Sequence, residues 1–202
     1  MRATLLDYGV GNIHSLKKAF ERAGTEVEVT QDGSRAGGAE LLLLPGVGAF
    51  GKAAGCVGPV RSELRRRMDE GLPVFAICVG MQILYEASEE SSGEGLGFLP
   101  GVVRRLDHAR LPHVGWNQVR HEGEGLFRGI PATASFYFVH SYAPSPCAAA
   151  TVATSEYGRP FAAAVRKGNA VGVQFHPEKS GESGARLIRN FLEGIAGSGD
   201  RP

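Results

Sequence analysis

Residues 73–82 read Pro73-Val74-Phe75-Ala76-Ile77-Cys78-Val79-Gly80-Met81-Gln82. The short apolar run Val74 to Cys78 reads as a strand covered on both faces, as strands of parallel sheets are. Behind Gly80, the stretch Met81 to Ala87 is expected to enter a helix. A strand ending in a nucleophile, with small residues two positions before and after it and a helix next, is the nucleophile-elbow pattern. Ala76 and Gly80 are the small flanks, needed because the sharp turn brings neighbouring elements close. At a helix N-terminus the dipole favours the thiolate of Cys78. The same turn aims the Val79 N–H at a developing oxyanion.

Working outward, the first half alternates strand and helix patterns. Ala3 to Tyr8 is a short buried strand running into Gly9-Val10-Gly11. Ile13, Leu16, Ala19, Phe20 and Ala23 recur at helical spacing, and Gly24 closes that helix. Val27 and Val29 alternate in a second strand, Leu41 to Leu44 is a fully apolar one, and Val60, Leu64, Arg67 and Met68 mark another helix. Alternation at this spacing gives parallel βαβ units. Beyond the polar, acidic loop Ser88 to Gly95 the pattern turns to β-rich runs: Val102 to Leu106, Ser135 to Val139, Thr151 to Thr154, Phe161 to Arg166 and Ala170 to Phe175. Val165 to Ala170 reads as a hairpin turn. Ala185 to Ile195 is a closing amphipathic helix, and Gly197 to Pro202 a frayed end. With no repeat and no linker, residues 1–202 are expected to form one α/β domain. Its doubly wound, mostly parallel sheet carries additional antiparallel strands in the C-terminal half.

The 202 residues carry 22 Lys+Arg against 21 Asp+Glu, a formal charge of +1. Near-neutrality argues against an electrostatic grip on nucleic acid or an anionic membrane. No apolar run approaches the ~20 residues of a membrane span, and the N-terminal apolar run is too short for a signal peptide. A soluble, cytoplasmic protein is expected. Three cysteines, Cys56, Cys78 and Cys147, are an odd count without metal or redox spacing, so neither a disulfide framework nor a metal centre is expected. Cys56 and Cys147 lack the setting of Cys78 and read as structural.

Glycine, at 29 residues, is about twice its usual share. Gly46-Val47-Gly48-Ala49-Phe50-Gly51 matches G-x-G-x-x-G and follows a strand, but a dinucleotide site also needs a helix starting there. The following Lys52 to Pro59 stretch is broken by two glycines and a proline, leaving room for a turn or two. No phosphate-binding G-x-x-x-x-G-K-[ST] is present. The other use of such a loop is to supply backbone N–H groups near a developing anion.

A thiolate nucleophile needs a general base, usually histidine, oriented by a third group. Only His176 sits at a strand end with a carboxylate in register, in Gln174-Phe175-His176-Pro177-Glu178. Residues two apart in an extended chain face one side, so Glu178 can reach the His176 imidazole. His14, His108, His113, His121 and His140 read as structural or surface residues.

Ala76-Ile77-Cys78-Val79-Gly80-Met81-Gln82 and His176-Pro177-Glu178 together resemble the class I (triad) glutamine amidotransferases. Further segments resemble those of one subfamily, the glutaminase subunits of imidazole glycerol phosphate synthases. They are Tyr8 to Asn12, Leu44 to Phe50, Pro112-His113-Val114-Gly115-Trp116-Asn117, Tyr137 to Tyr142 and Gln174 to Ser180. They run in family order over essentially the whole chain. One departure is Ala76, where such elbows commonly carry glycine, a matter of local packing. The resemblance implies a flavodoxin-like fold and a Cys78-His176-Glu178 triad that hydrolyses L-glutamine through a γ-glutamyl thioester. It implies an oxyanion site at Val79 and Gly46-Val47-Gly48, with Gly48 and Gln82 on the glutamine, and no cofactor. It also implies a heterodimer with a (β/α)₈-barrel cyclase subunit, which uses the ammonia to make imidazole glycerol phosphate and an aminoimidazole carboxamide ribonucleotide in histidine biosynthesis. Lys179, Pro112, Trp116 and Asn117 are the interface candidates, and Tyr137, His140 and Ser141 either shape the pocket or face the partner. The nearest alternative is the glutaminase subunit of another triad amidotransferase, against which the 112–117 and 137–142 segments argue. A cysteine hydrolase acting on peptides or esters is the alternative from another class.

Overall fold

Strand and helix alternate through the first half as the sequence predicts. The computed structural model describes residues 1–9, 13–46 and 48–197. Expectations for Val10 to Asn12, Val47 and the tail beyond Gly197 lie outside the described residues. In chain order the elements are β1 (Arg2–Leu6), α1 (Ile13–Arg22), β2 (Glu26–Thr30), α2 (Gly33–Gly37), β3 (Leu41–Leu44), α3 (Phe50–Val57), α4 (Arg61–Asp69), β4 (Val74–Ile77) and α5 (Val79–Gln82). There follow β5 (Ala87–Ser88), β6 (Val102–Arg105), β7 (His113–Gln118), β8 (Arg120–His121), β9 (Ser135–His140) and β10 (Tyr142–Pro144). The chain continues through β11 (Thr151–Tyr157), β12 (Arg159–Lys167), β13 (Ala170–Val173) and α6 (Gly181–Ala196).

The principal sheet has the order β2-β1-β3-β4-β13-β12-β11-β8. Its first five strands are mutually parallel, and β12, β11 and β8 continue it antiparallel. The fold is therefore α/β with a large, mostly parallel sheet and added antiparallel strands. All residues of β3 and β4 are buried, which accounts for their unbroken apolar sequence. Phe75 of β4 lies against Phe20 of α1 and Phe191 of α6, with ring centroids 5.4 and 4.8 Å apart. Two smaller sheets, β10-β6-β5 and β7-β9, stand beside the principal one.

Strand order decides where chemistry can occur. β4 lies between β3 and β13 and pairs with β13 in parallel, Val173 opposite Ile77. The carboxyl ends of β4 and β13 thus emerge side by side, the position where open α/β sheets place their ligands. Cys78 follows the first strand, and the segment Gln174 to Glu178 follows the second.

Local details depart from the sequence expectation: the short strands β5, β8 and β10 carry no clear pattern in the sequence, and three further differences have a physical cause. The helix expected from Met81 to Ala87 starts at Val79 and ends at Gln82, because the carbonyls of Ile83, Leu84 and Tyr85 accept the N–H groups of Leu96, Leu99 and Gly97. The 112–117 segment contains β7, paired antiparallel with β9 from His113–His140 to Gln118–Ser135. The five-residue α2 is capped by Asp32 and buries only Ala36 and Gly37, too little for an amphipathic signature.

Gly80 shows how closely the elbow is packed: a Cβ there would stand 2.2 Å from the backbone oxygen of Leu44. Gly194 of α6, by contrast, has open space around the same position. Gly80→Ala is expected to destabilise the fold by about 3 kcal/mol, whereas Gly194→Ala should stabilise it by about 0.5–1 kcal/mol. Urea unfolding of the two variants checks this, and equal midpoints would contradict the packing described.

Candidate active site

Cys78 is the one non-glycine among the described residues with positive φ, at φ 47° and ψ −107°. The Cys78 N–H donates to Val173 O at 2.7 Å, and the Gln82 N–H donates to Cys78 O at 2.9 Å. The sheet therefore holds the residue on one side and α5 on the other. A conformation this sparsely populated persists only where the surroundings over-determine it, and such residues cluster at functional sites. Val79 opens α5, where backbone N–H groups have no partner within the helix. The Gly46 Cβ position lies 2.9 Å from Cys78 Cβ, so only glycine lets the chain at 46 pass this close to the cysteine.

A cavity of about 210 Å³ opens on this elbow, lined by Gly46, Gly48, Cys78, Val79, Gln82, Glu90, Val139, His140, Ser141 and Tyr142. The structure thus brings Cys78, Gly46, Gly48, Val79 and Gln82 to one place; Val47 lies outside the described residues. A larger cavity, about 600 Å³, sits by β8 and β11 and contains none of these residues.

His176 is buried, and its backbone N–H donates to Tyr137 O at 2.8 Å, fastening the strand end to β9. Its Nδ1 lies 2.8 Å from Glu178 Oε1, with both side chains buried. This leaves Nε2 for the thiol side, where it forms no closed hydrogen bond. Burial alone would push the His176 pKa down, but the nearness of Cys78 and the hydrogen-bonded carboxylate of Glu178 reverse this and raise it to about 10. An imidazolium is therefore held beside the sulfur, as a proton donor to a leaving group must be.

Glu90 and Gln174 are not among the participants read from the sequence, and His140 is left there between a structural role, the pocket and a partner. Glu90 belongs to the acidic loop, yet its Oε2 accepts the Phe50 N–H at 2.7 Å while Ser91 Oγ accepts the Gly51 N–H at 2.8 Å. The loop thus caps α3, whose own N-cap Ala49 offers no side-chain acceptor, and this cap brings Glu90 to the cavity. Nothing local in the sequence signals a cap 40 residues away. Gln174 is fully buried and donates from Nε2 to Cys78 Sγ at 3.3 Å. It stands two residues before His176, so the two-residue spacing that singles out Glu178 would also have found it. His140 lines the cavity. It is held neutral, its pKa pushed down to about 3 chiefly by burial, against the hydrogen bond to the Tyr142 carbonyl. Buried His113, 3.1 Å from it, is likewise pushed down to about 4 by burial and by nearby His108.

The interface candidates fall on and around β7. Val114 and Trp116 are 56% and 59% exposed, and Val139, opposite Val114, is 37% exposed. Trp116 packs edge-on against Tyr137 at 6.2 Å, and Lys179 Nζ lies 5.6 Å over the Tyr137 ring. Pro112 is exposed. Asn117 turns its amide inward, donating to Glu156 O at 2.9 Å.

The family described as Glutamine amidotransferase class-I matches residues 4–195. The chain belongs to this family. It is 45% identical to the imidazole glycerol phosphate synthase subunit HisH of Moorella thermoacetica, over 97% of this chain and 96% of that one. It is 46% identical to the subunit of the same name from Nocardia farcinica, over 95% and 97%. A crystal structure of a glutamine amidotransferase shares the fold, with a TM-score of 0.75 at 22% identity over 96% of this chain and 98% of that one.

In this amidotransferase the raised His176 pKa sets a pH dependence. The folded value, about 10, lies above the ordinary 6.5. The stabilisation is therefore complete below pH 6.5 and fades as pH rises through about 10. The stability difference between the protein and its Glu178→Gln variant, measured by urea unfolding, is expected to be larger at pH 6.5 than at pH 10. A difference that grows with pH would contradict this.

Proposed function

We propose that this chain is the glutaminase subunit of an imidazole glycerol phosphate synthase, acting in the cytoplasm in histidine biosynthesis. The observation that carries the reading is the cavity on Cys78, which is of amino-acid size and polar at one end. Gln82 and the Glu90 carboxylate supply acceptors for an α-ammonium group, and Cys78 stands on the elbow beside them. The names of the HisH relatives, at about 45% identity over nearly the whole chain, supply the subfamily.

Cys78 gives its thiol proton to His176 Nε2 and Sγ attacks the glutamine side-chain carbonyl carbon, whose oxygen becomes an oxyanion met by the Val79 N–H and by backbone N–H near Gly46 and Gly48. The tetrahedral species collapses as His176 Nε2 passes its proton to the departing nitrogen, releasing ammonia and leaving a γ-glutamyl thioester. His176 then takes a proton from water, which attacks the thioester to release glutamate and the thiol. Glu178 holds the imidazole through Nδ1 and balances its charge.

Ammonia released into bulk water is protonated and lost as a nucleophile, so the cavity must face the acceptor enzyme. The partner in this reading is a (β/α)₈-barrel cyclase subunit. Val114, Trp116 and Val139, with Tyr137 and Lys179 beside them, form an apolar face next to the cavity, since Val139 belongs to both. An exposed tryptophan packed on a tyrosine within an apolar face suits such a heterodimer interface.

Glutamate release measured with and without the cyclase and its nucleotide tests this. Cys78→Ala is expected to lower release by about 10⁴-fold or more while still binding the cyclase. Trp116→Ala should weaken cyclase binding by about tenfold or more, and Lys179→Glu should weaken it too. Glutamine turnover unaffected by Cys78→Ala would overturn the catalytic assignment, and wild-type failure to bind the cyclase would overturn the partner.

A further inference from the structure

His113 and His140 are buried, neutral and joined, and the roles of all four ring nitrogens follow from their partners. His140 Nδ1 lies 2.9 Å from Tyr142 O, a carbonyl that can only accept, so the proton is on Nδ1. A neutral ring then has a bare Nε2, which must accept from His113 Nδ1 at 3.1 Å. His113 in turn has a bare Nε2, which accepts from Asn117 Nδ2 at 3.3 Å. Asn117 is itself fixed at both ends of its amide, donating to Glu156 O and accepting the Gln118 N–H at 2.8 Å. The donors all point one way, from β7 towards the cavity.

The chain of bonds continues past the carbonyl. Tyr142 O also accepts from Gln82 Nε2 at 2.9 Å, so its two lone pairs serve His140 and Gln82. The second Gln82 N–H goes to Gln174 Oε1 at 3.2 Å, and Gln174 spends its own Nε2–H on Cys78. Both Gln82 donors are thereby consumed on fixed acceptors. What Gln82 offers the cavity is its carbonyl oxygen, which no donor meets among the described residues. Turning the amide over would set Oε1 against two acceptors.

We propose that His113, His140 and Asn117 are positioning residues for substrate specificity, holding the Tyr142 carbonyl and through it Gln82 so that the cavity presents an acceptor to the α-ammonium of its amide substrate. This rests on the glutaminase reading and adds which residues select the ammonium group. His113 is the informative position, because it does not line the cavity. Its ring also stacks on Tyr157 and Phe138, with centroids 4.1 and 4.9 Å away, so packing and hydrogen bonding can be separated by substitution. His113→Phe keeps an aromatic ring and loses the donor. His113→Asn loses the ring and keeps an N–H where Nδ1–H was.

The test uses the complex with the cyclase and compares kcat/KM for glutamine with that for glutaramate, which is glutamine without its α-amino group. His113→Phe is expected to reduce the preference for glutamine by about tenfold or more, through KM for glutamine, leaving glutaramate turnover within about threefold. His113→Asn should keep the wild-type preference within about threefold. Asn117→Ala, one link further out, should reduce the preference by about threefold or more, which keeps the test decisive if His113→Phe fails to fold. A purely structural role gives a different result: both substrates lose alike, or His113→Asn is the more damaging change. Either outcome, or an unchanged preference in Asn117→Ala, overturns the inference. Absence of glutamine turnover in the wild-type complex would instead overturn the glutaminase reading on which it rests.

Discussion

The arrangement depends on the backbone of one residue. Cys78 at φ 47° occupies a region that side chains other than glycine's rarely adopt, at a cost of about 1–3 kcal/mol. It is held there by the bond to Val173 at the end of β13 and by the bond from Gln82 within α5. The same two bonds tie Cys78 to the strand that delivers His176 and to the helix that delivers Gln82. The strain is also what turns the thiol out of the sheet into the cavity. Glycines at 46 and 80 follow from it, since a side chain at either would meet backbone of a neighbouring strand or its connection.

Around that elbow three buried imidazoles are held in different states by their neighbours. His176 faces a carboxylate and a thiol and is kept protonated, whereas His140 and His113 face a carbonyl and one another and are kept neutral. All three are buried, so exposure does not separate them. The difference is whether an anion is within reach to offset desolvation. One site thereby holds a charged imidazole next to the sulfur and a neutral hydrogen-bond chain behind the cavity.

Most of the fold was legible in the sequence because its strands are buried on both faces and announce themselves as apolar runs. Leu41 to Leu44 and Val74 to Ile77 needed no tertiary information, and neither did the elbow, whose strand, small flanks and nucleophile are consecutive. The early end of α5 was not legible, because it is imposed by N–H groups from residues 96–99. β7 escaped because only one side of it is covered and its outer side carries Val114 and Trp116 in the open. Glu90, His113 and His140 act through partners far along the chain, and an isolated histidine or glutamate in sequence carries no mark of such a partner. His176 and Glu178 were readable because they stand only two residues apart, although a 3-10 turn over Pro177–Lys179, and not the extended geometry expected from the sequence, brings the carboxylate to the ring.

The central claim is that Cys78, alone among the three cysteines, is the nucleophile that receives the glutamyl group. An electrophilic glutamine analogue incubated with the cyclase complex, followed by peptide mapping by mass spectrometry, tests it directly. A single adduct on Cys78, prevented by excess glutamine and absent from Cys78→Ala, is the expected result. Labelling of Cys56 or Cys147 in its place, or labelling that glutamine does not prevent, would contradict it.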